Sequence, residues 1–121
     1  MRTREIPRSD WAGYLTTLSR RCADHPVRVR VESQEIGDQA MVECLPFVGI
    51  SLEEKGSEAG SIELTVSKGG TDHLTHLIEG PAHVFVEEDD AGQVAVLDIE
   101  DGSKVKTIVF FEDLEALPEK G

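Results

Sequence analysis

The 121-residue sequence predicts a β-rich α+β domain, and three observations carry that prediction. One amphipathic helical pattern stands near the N-terminus. Behind it come runs in which apolar residues alternate with period two, and turn signals rich in Gly and Asp separate those runs. The expected architecture is an N-terminal helix over roughly residues 9–24, packed on an antiparallel, strongly twisted sheet or a partly closed small barrel of about six or seven strands. A chain of this size suits a single domain over 1–121, with a β meander over about 27–111 and a short tail over 112–121.

The helix begins at Ser9-Asp10-Trp11, where Ser9 or Asp10 can accept a hydrogen bond from a first-turn amide. Trp11, Leu15, Leu18 and Cys22 recur at spacings of four, three and four, and so form one stripe at helical periodicity. Arg, Thr and Ser are left for the wet face. Arg20 and Arg21 fall in the last turn, where cations oppose the helix dipole, and His25-Pro26 ends the run.

From Val27 the period is two: Val27, Val29 and Val31 alternate with Arg28, Arg30 and Glu32. Gly37-Asp38 turns the chain into a strand at Ala40–Cys44, which Pro46 is expected to interrupt before a short buried strand at Phe47–Leu52. Ile62, Leu64 and Val66 mark the next strand, ended by Lys68-Gly69-Gly70. The runs Val84–Glu87, Val94–Ile99 and Val105–Phe111 follow as a meander joined at Asp89-Asp90-Ala91-Gly92 and Asp101-Gly102. Leu114 and Leu117 could support one helical turn in the tail.

Charge is unevenly spread. Residues 1–30 carry seven of the twelve basic side chains against three acids, and the remainder carries five against twenty-one, for a formal net charge of −12. A basic N-terminal segment can therefore pack on an acidic sheet. The acidic body repels polyanions, so neither nucleic acid nor an anionic membrane surface is an expected partner. The start Met1–Pro7 has no apolar run of the kind a signal peptide needs, no stretch approaches a membrane span, and the expected location is cytoplasmic. Cys22 and Cys44 lack metal-ligand spacing and read as buried thiols.

Catalytic machinery is sparse. No Gly-x-Ser-x-Gly elbow and no phosphate-binding Gly-rich loop occurs. The densest titratable group is His73-Leu74-Thr75-His76-Leu77-Ile78-Glu79. On a helix His73 and His76 would share a face and could share a metal. The run is short and Gly80-Pro81 follows, so a strand is expected, with His76 beside Leu74 and Ile78 as a core or semi-buried histidine and His73 facing solvent. His76 and Glu79 are the candidates for acid–base work, and His73, His76 and His83 the candidates for metal ligation, with His83 expected close by on the neighbouring strand. Glu87-Glu88-Asp89-Asp90 lacks EF-hand spacing and reads as a solvated hairpin tip. No cofactor is expected.

Three stretches, Ile6-Pro7-Arg8-Ser9-Asp10-Trp11, Leu45-Pro46-Phe47-Val48-Gly49-Ile50-Ser51 and His73-Leu74-Thr75-His76-Leu77-Ile78 with Pro81, together resemble a family of short prokaryotic proteins defined as a domain of unknown function, DUF5335. The resemblance implies a stand-alone bacterial or archaeal cytoplasmic protein and brings no activity, cofactor or catalytic residue with it. From the residues, the leading expectation is a small acidic, non-enzymatic accessory or interaction module that binds a protein partner or self-associates. The alternative is a small metal-binding protein or hydrolase using His73, His76 and Glu79.

Overall fold

Period-two patterning becomes eight antiparallel strands in the computed structural model, which describes residues 2–35, 37–57 and 59–111. The elements are β1 (Arg2–Glu5), a 3-10 turn (Arg8–Asp10), α1 (Trp11–Arg21), β2 (Pro26–Ser33), β3 (Gly37–Leu52), β4 (Ile62–Gly69), β5 (Asp72–Ile78), β6 (Pro81–Glu88), β7 (Val94–Asp101) and β8 (Lys106–Phe111). They form one sheet in the order β1-β6-β7-β8-β2-β3-β4-β5. The helical turn expected around Leu114 and Leu117 lies outside the described residues.

The strand number and the closure differ from expectation. Among the described residues there are eight strands, where six or seven were expected, and β1 and β5 lie at the two edges of an open sheet that does not close into a barrel. Arg2–Glu5 has no apolar alternation for a pattern to reveal, and all four residues are exposed. Backbone pairing with β6 makes it a strand, with Arg2 opposite Glu88 and Glu5 opposite Phe85. Strong curl brings distant strands together all the same. His76 Nε2 on β5 lies 3.5 Å from Thr107 Oγ1 on β8, although β2, β3 and β4 separate these strands in the sheet.

The concave side holds the core. Val27, Val29, Leu64, Val66, Leu97 and Val109 point inward and are buried, as the alternation requires. Trp11, Leu15 and Leu18 bring the apolar stripe of α1 onto this surface, and Phe47 and Ile50 meet them from β3. Each such side chain contributes roughly 1.5–3 kcal/mol by leaving water. Trp11 Nε1 donates to the Ile6 carbonyl at 2.9 Å, so its one polar atom is satisfied inside the core. Neither Ser9 nor Asp10 caps α1: Asp10 holds the N-cap position without a side-chain bond, and the 3-10 turn leads the chain in. The helix ends at Arg21, with Cys22 as its C-cap. Cys22 and Cys44 are free and half-buried, where full burial was expected.

Pro46 does not interrupt the chain. Its 16-residue strand runs through it and changes partner there. The ladder to β2 ends with Pro26 opposite Pro46, and the ladder to β4 begins with Phe47 opposite Val66. A residue without an N–H is tolerated where one ladder stops. Past that point β3 has lost β2 from one side, and the segment after α1 takes over: Asp24 N donates to the Phe47 carbonyl at 2.7 Å, and Phe47 N to the His25 carbonyl at 2.8 Å. One residue pair further along, α1 itself replaces the missing strand. Ser19 Oγ accepts from Ile50 N at 2.9 Å and stands 2.7 Å from the Ile50 carbonyl. Ser19, expected on the wet face of the helix, thus serves as a hydrogen-bonding partner for a strand.

Ser19→Ala leaves the Ile50 amide and carbonyl without that partner, which costs about 1–3 kcal/mol. The expected result in urea unfolding is a lower midpoint with an unchanged slope. An unchanged midpoint would show that water replaces the hydroxyl at no cost.

Candidate functional site

Period two decides the histidine geometry. His73 is exposed and His76 half-buried on the opposite face of β5, together with Leu74 and Ile78. Burial lowers the His76 pKa, which keeps the ring neutral beside Thr107. Glu79 is exposed just past the strand. His83 is not on a strand neighbouring β5: β6 pairs with β1 and β7, and the Nδ1 of His83 meets Glu5 Oε2 at 2.8 Å. Among the described residues no group of three or more His, Cys, Asp or Glu side chains is arranged to hold a metal ion.

A different place collects polar groups. A cleft of ≈370 Å³ opens between the C-terminal half of α1 and the ends of β1, β6, β7 and β8. Arg4, Tyr14, Arg21, Cys22, His25 and Glu88 give it polar walls, and Leu18, Val94 and Phe111 give it apolar ones. The fold positions each for a local reason. Tyr14, Leu18 and Arg21 follow one another at helical spacing beside the buried stripe, so they share the flank of α1 that overlooks the strand ends. Glu88 is the last residue of β6 and is buried, which corrects its expected place in a solvated hairpin tip. The tip is made instead by Asp89, whose Oδ1 accepts from the amides of Ala91 and Gln93 at 2.9 Å each.

Electrostatics within the cleft are asymmetric. Arg4 Nε donates to Glu88 Oε1 at 3.1 Å, and Arg2 lies 3.8 Å from the same oxygen. The hydrogen bond from Arg4 holds the Glu88 carboxyl below its ordinary range, and the same bond raises Arg4. The basic N-terminal segment does therefore meet the acidic sheet, through one buried carboxylate. The Arg4 guanidinium also lies 5.6 Å from the centre of the Tyr14 ring. Burial, with Glu88 adding to it, pushes the Tyr14 hydroxyl up to about 12, so it is a neutral phenol at physiological pH. That hydroxyl is buried and finds no hydrogen-bond partner among the described residues. An unsatisfied buried hydroxyl costs about 1–3 kcal/mol. Burial also pushes the Cys22 thiol up, which leaves it a poor nucleophile.

Tyr14, Arg4, Arg21 and Glu88 went unrecognised in the sequence. The one available signal was the Tyr14-Leu18-Arg21 spacing alongside the apolar stripe. Arg4 and Glu88 are 84 positions apart, and nothing short of the β1–β6 ladder joins them.

A model of a family described as "Family of unknown function (DUF5335)" matches residues 2–120. The chain belongs to this family. Within DUF5335 similarity it aligns with an uncharacterized protein of Aquifex aeolicus (strain VF5), 30% identical over 119 residues that cover 98% of this chain and 100% of the relative. The match agrees with the resemblance drawn from the three sequence stretches and attaches no reaction to the fold. No solved structure matches the chain. Among the described residues no helix is long and apolar enough to cross a membrane.

The half-buried His76 gives a pH test of the fold. Its folded pKa is below its ordinary 6.5, so the unfolded chain binds the extra proton more readily. Stability contributed by neutral His76 is complete above that value and declines as pH falls below it. Thermal melts of wild type and His76→Leu from pH 7.5 to 5 should therefore show the wild type losing stability relative to the variant as the pH falls and the histidine charges. Parallel curves would mean that His76 titrates alike in folded and unfolded chains.

Proposed function

We propose that the protein is a small non-enzymatic binding module whose ligand sits in the cleft between α1 and the strand ends. The ligand class is an organic carboxylate with an apolar body. A single juxtaposition carries this reading: a chain of formal charge −12 turns two guanidiniums, Arg4 and Arg21, toward a cleft floored by Leu18, Val94 and Phe111. Arg4 is engaged by Glu88, so Arg21 supplies the charge that an incoming anion meets. Small-molecule sites are largely apolar concavities with a few placed polar groups, and the volume falls within their usual range. A carboxylate oxygen reaching Tyr14 would satisfy a donor that no described residue satisfies.

The acidic character of the rest of the surface supports excluding nucleic acids and anionic membranes as partners. It also steers carboxylates toward this basic recess. The raised thiol of Cys22 and the absence of a base hydrogen-bonded to it among the described residues support binding over catalysis.

Titration of the protein with octanoate, followed by calorimetry and amide NMR, is the direct test. Saturable binding is expected, with shifts confined to α1, Glu88–Val94 and Phe111. Arg21→Ala should weaken it by about tenfold or more, the range of a charged hydrogen bond. Tyr14→Phe separates binding from folding, since removing an unsatisfied hydroxyl should hold or raise the melting temperature while weakening octanoate by about two- to tenfold. Non-saturable binding, or equal affinity in Arg21→Ala, would refute the site.

A further inference from the structure

The convex side of the sheet, away from α1, has an order of its own. Along β6, β7, β8 and β2 the residues between the buried ones form two rows across the ladders. One row reads Glu87, Val96, Phe110, Arg28 and the other Phe85, Asp98, Ile108, Arg30. All eight side chains are half-buried, and around Phe85, Val96, Ile108 and Phe110 the surface dips into a depression of ≈230 Å³. The rows run from acidic on the β6–β7 side, through apolar on β8, to basic on β2.

We infer that this face is the interface of a homodimer in which two copies pack convex face to convex face about a two-fold axis running along β8. The occupant is a second copy because the polarity is self-complementary in one orientation only. Rotation about an axis parallel to the strands carries β2 of one copy over β7 of the other, so Arg30 comes opposite Asp98 and the contact is made twice. Rotation about an axis across the strands would set acid over acid. Residues on the axis meet their own equivalents, and these are Ile108 and Phe110, which are apolar. Isologous interfaces require self-complementarity of this kind. Face-to-face sheets about 10 Å apart interdigitate side chains of this size.

Two details of the single chain fit a missing partner. Asp98 Oδ1 is buried between Phe85 and Ile108 with no hydrogen-bond partner among the described residues. Burial first, then Glu100 and Glu32, push this carboxyl up to about 6 against the opposing effect of Lys106. Arg28 lies flat over Phe110, its guanidinium carbon 4.1 Å from the ring centre, which extends the packing surface of β8 toward β2. Arg30 is bonded to Asp38 at 3.0 Å, and a guanidinium with five donors can serve a second carboxylate as well.

The inference does not depend on the cleft, which opens on the other side of the sheet. Sedimentation velocity of the full chain at about 0.1 mM, enough to populate a micromolar dimer, is the test. Wild type should sediment as a dimer. Ile108→Arg puts like charges face to face on the axis and should weaken association by about a hundredfold or more. Arg30→Asp alone should weaken it by about tenfold or more, and adding Asp98→Arg should restore most of the loss. Arg30 is exposed enough that its variant keeps the fold, so the exchange stands even if Ile108→Arg does not fold. A monomeric wild type, a dimer indifferent to Ile108→Arg and Arg30→Asp, or a double exchange no tighter than Arg30→Asp would each overturn the proposal.

Discussion

The structure depends on β3 having two different partners along its length. Up to Pro46 it belongs to β2, and from Phe47 it belongs to β4. A strand that changes partner must leave backbone groups open on the side it abandons, and buried open groups are costly. The helix connection and Ser19 close that gap, so α1 is joined to the sheet by hydrogen bonds as well as by its apolar stripe. One irregular stretch therefore sets where the helix sits and how its apolar stripe meets the core.

Charge acts at a second level. An exposed ion pair contributes little, but Glu88 is largely buried and holds Arg4 through a direct bond. That bond fastens an edge strand with no apolar residue of its own. It also sets the cleft's polarity, since Glu88 consumes one cation and leaves Arg21 as the other. The same side chains fix a strand and tune a recess, which is economical in a chain of this length.

What could be read from the sequence was whatever one wet face and one dry face make periodic. The strands at Val27–Val31 and Ile62–Val66, the helix stripe and the opposite orientations of His73 and His76 are all of this kind. β1 could not be read, because an exposed edge strand obeys backbone pairing and carries no alternation. Pro46 misled for a physical reason: a proline stops a ladder, but a strand can outlast one of its ladders. The cleft was invisible because Arg4, Tyr14, Arg21, Glu88 and Phe111 come from distant segments, and only the sheet order places them together. Ser19 reads as solvent-facing because helical periodicity distinguishes faces by hydropathy, and a hydroxyl bonding a strand looks identical to one bonding water.

The ladder joining Arg2–Glu5 to β6 has a temporal side. On a ribosome the first of these segments emerges when its mate is some eighty residues from being made, and at about 5–20 residues per second that is a delay on the order of ten seconds. Throughout that interval the nascent chain can form α1 and the hairpin partners of β2, β3, β4 and β5, which are neighbours in time as well as in space. The opening segment must wait, unpaired and hydrated, and its arginines suit it to waiting. This ladder is thus closed late, after the strands between its two members have been made.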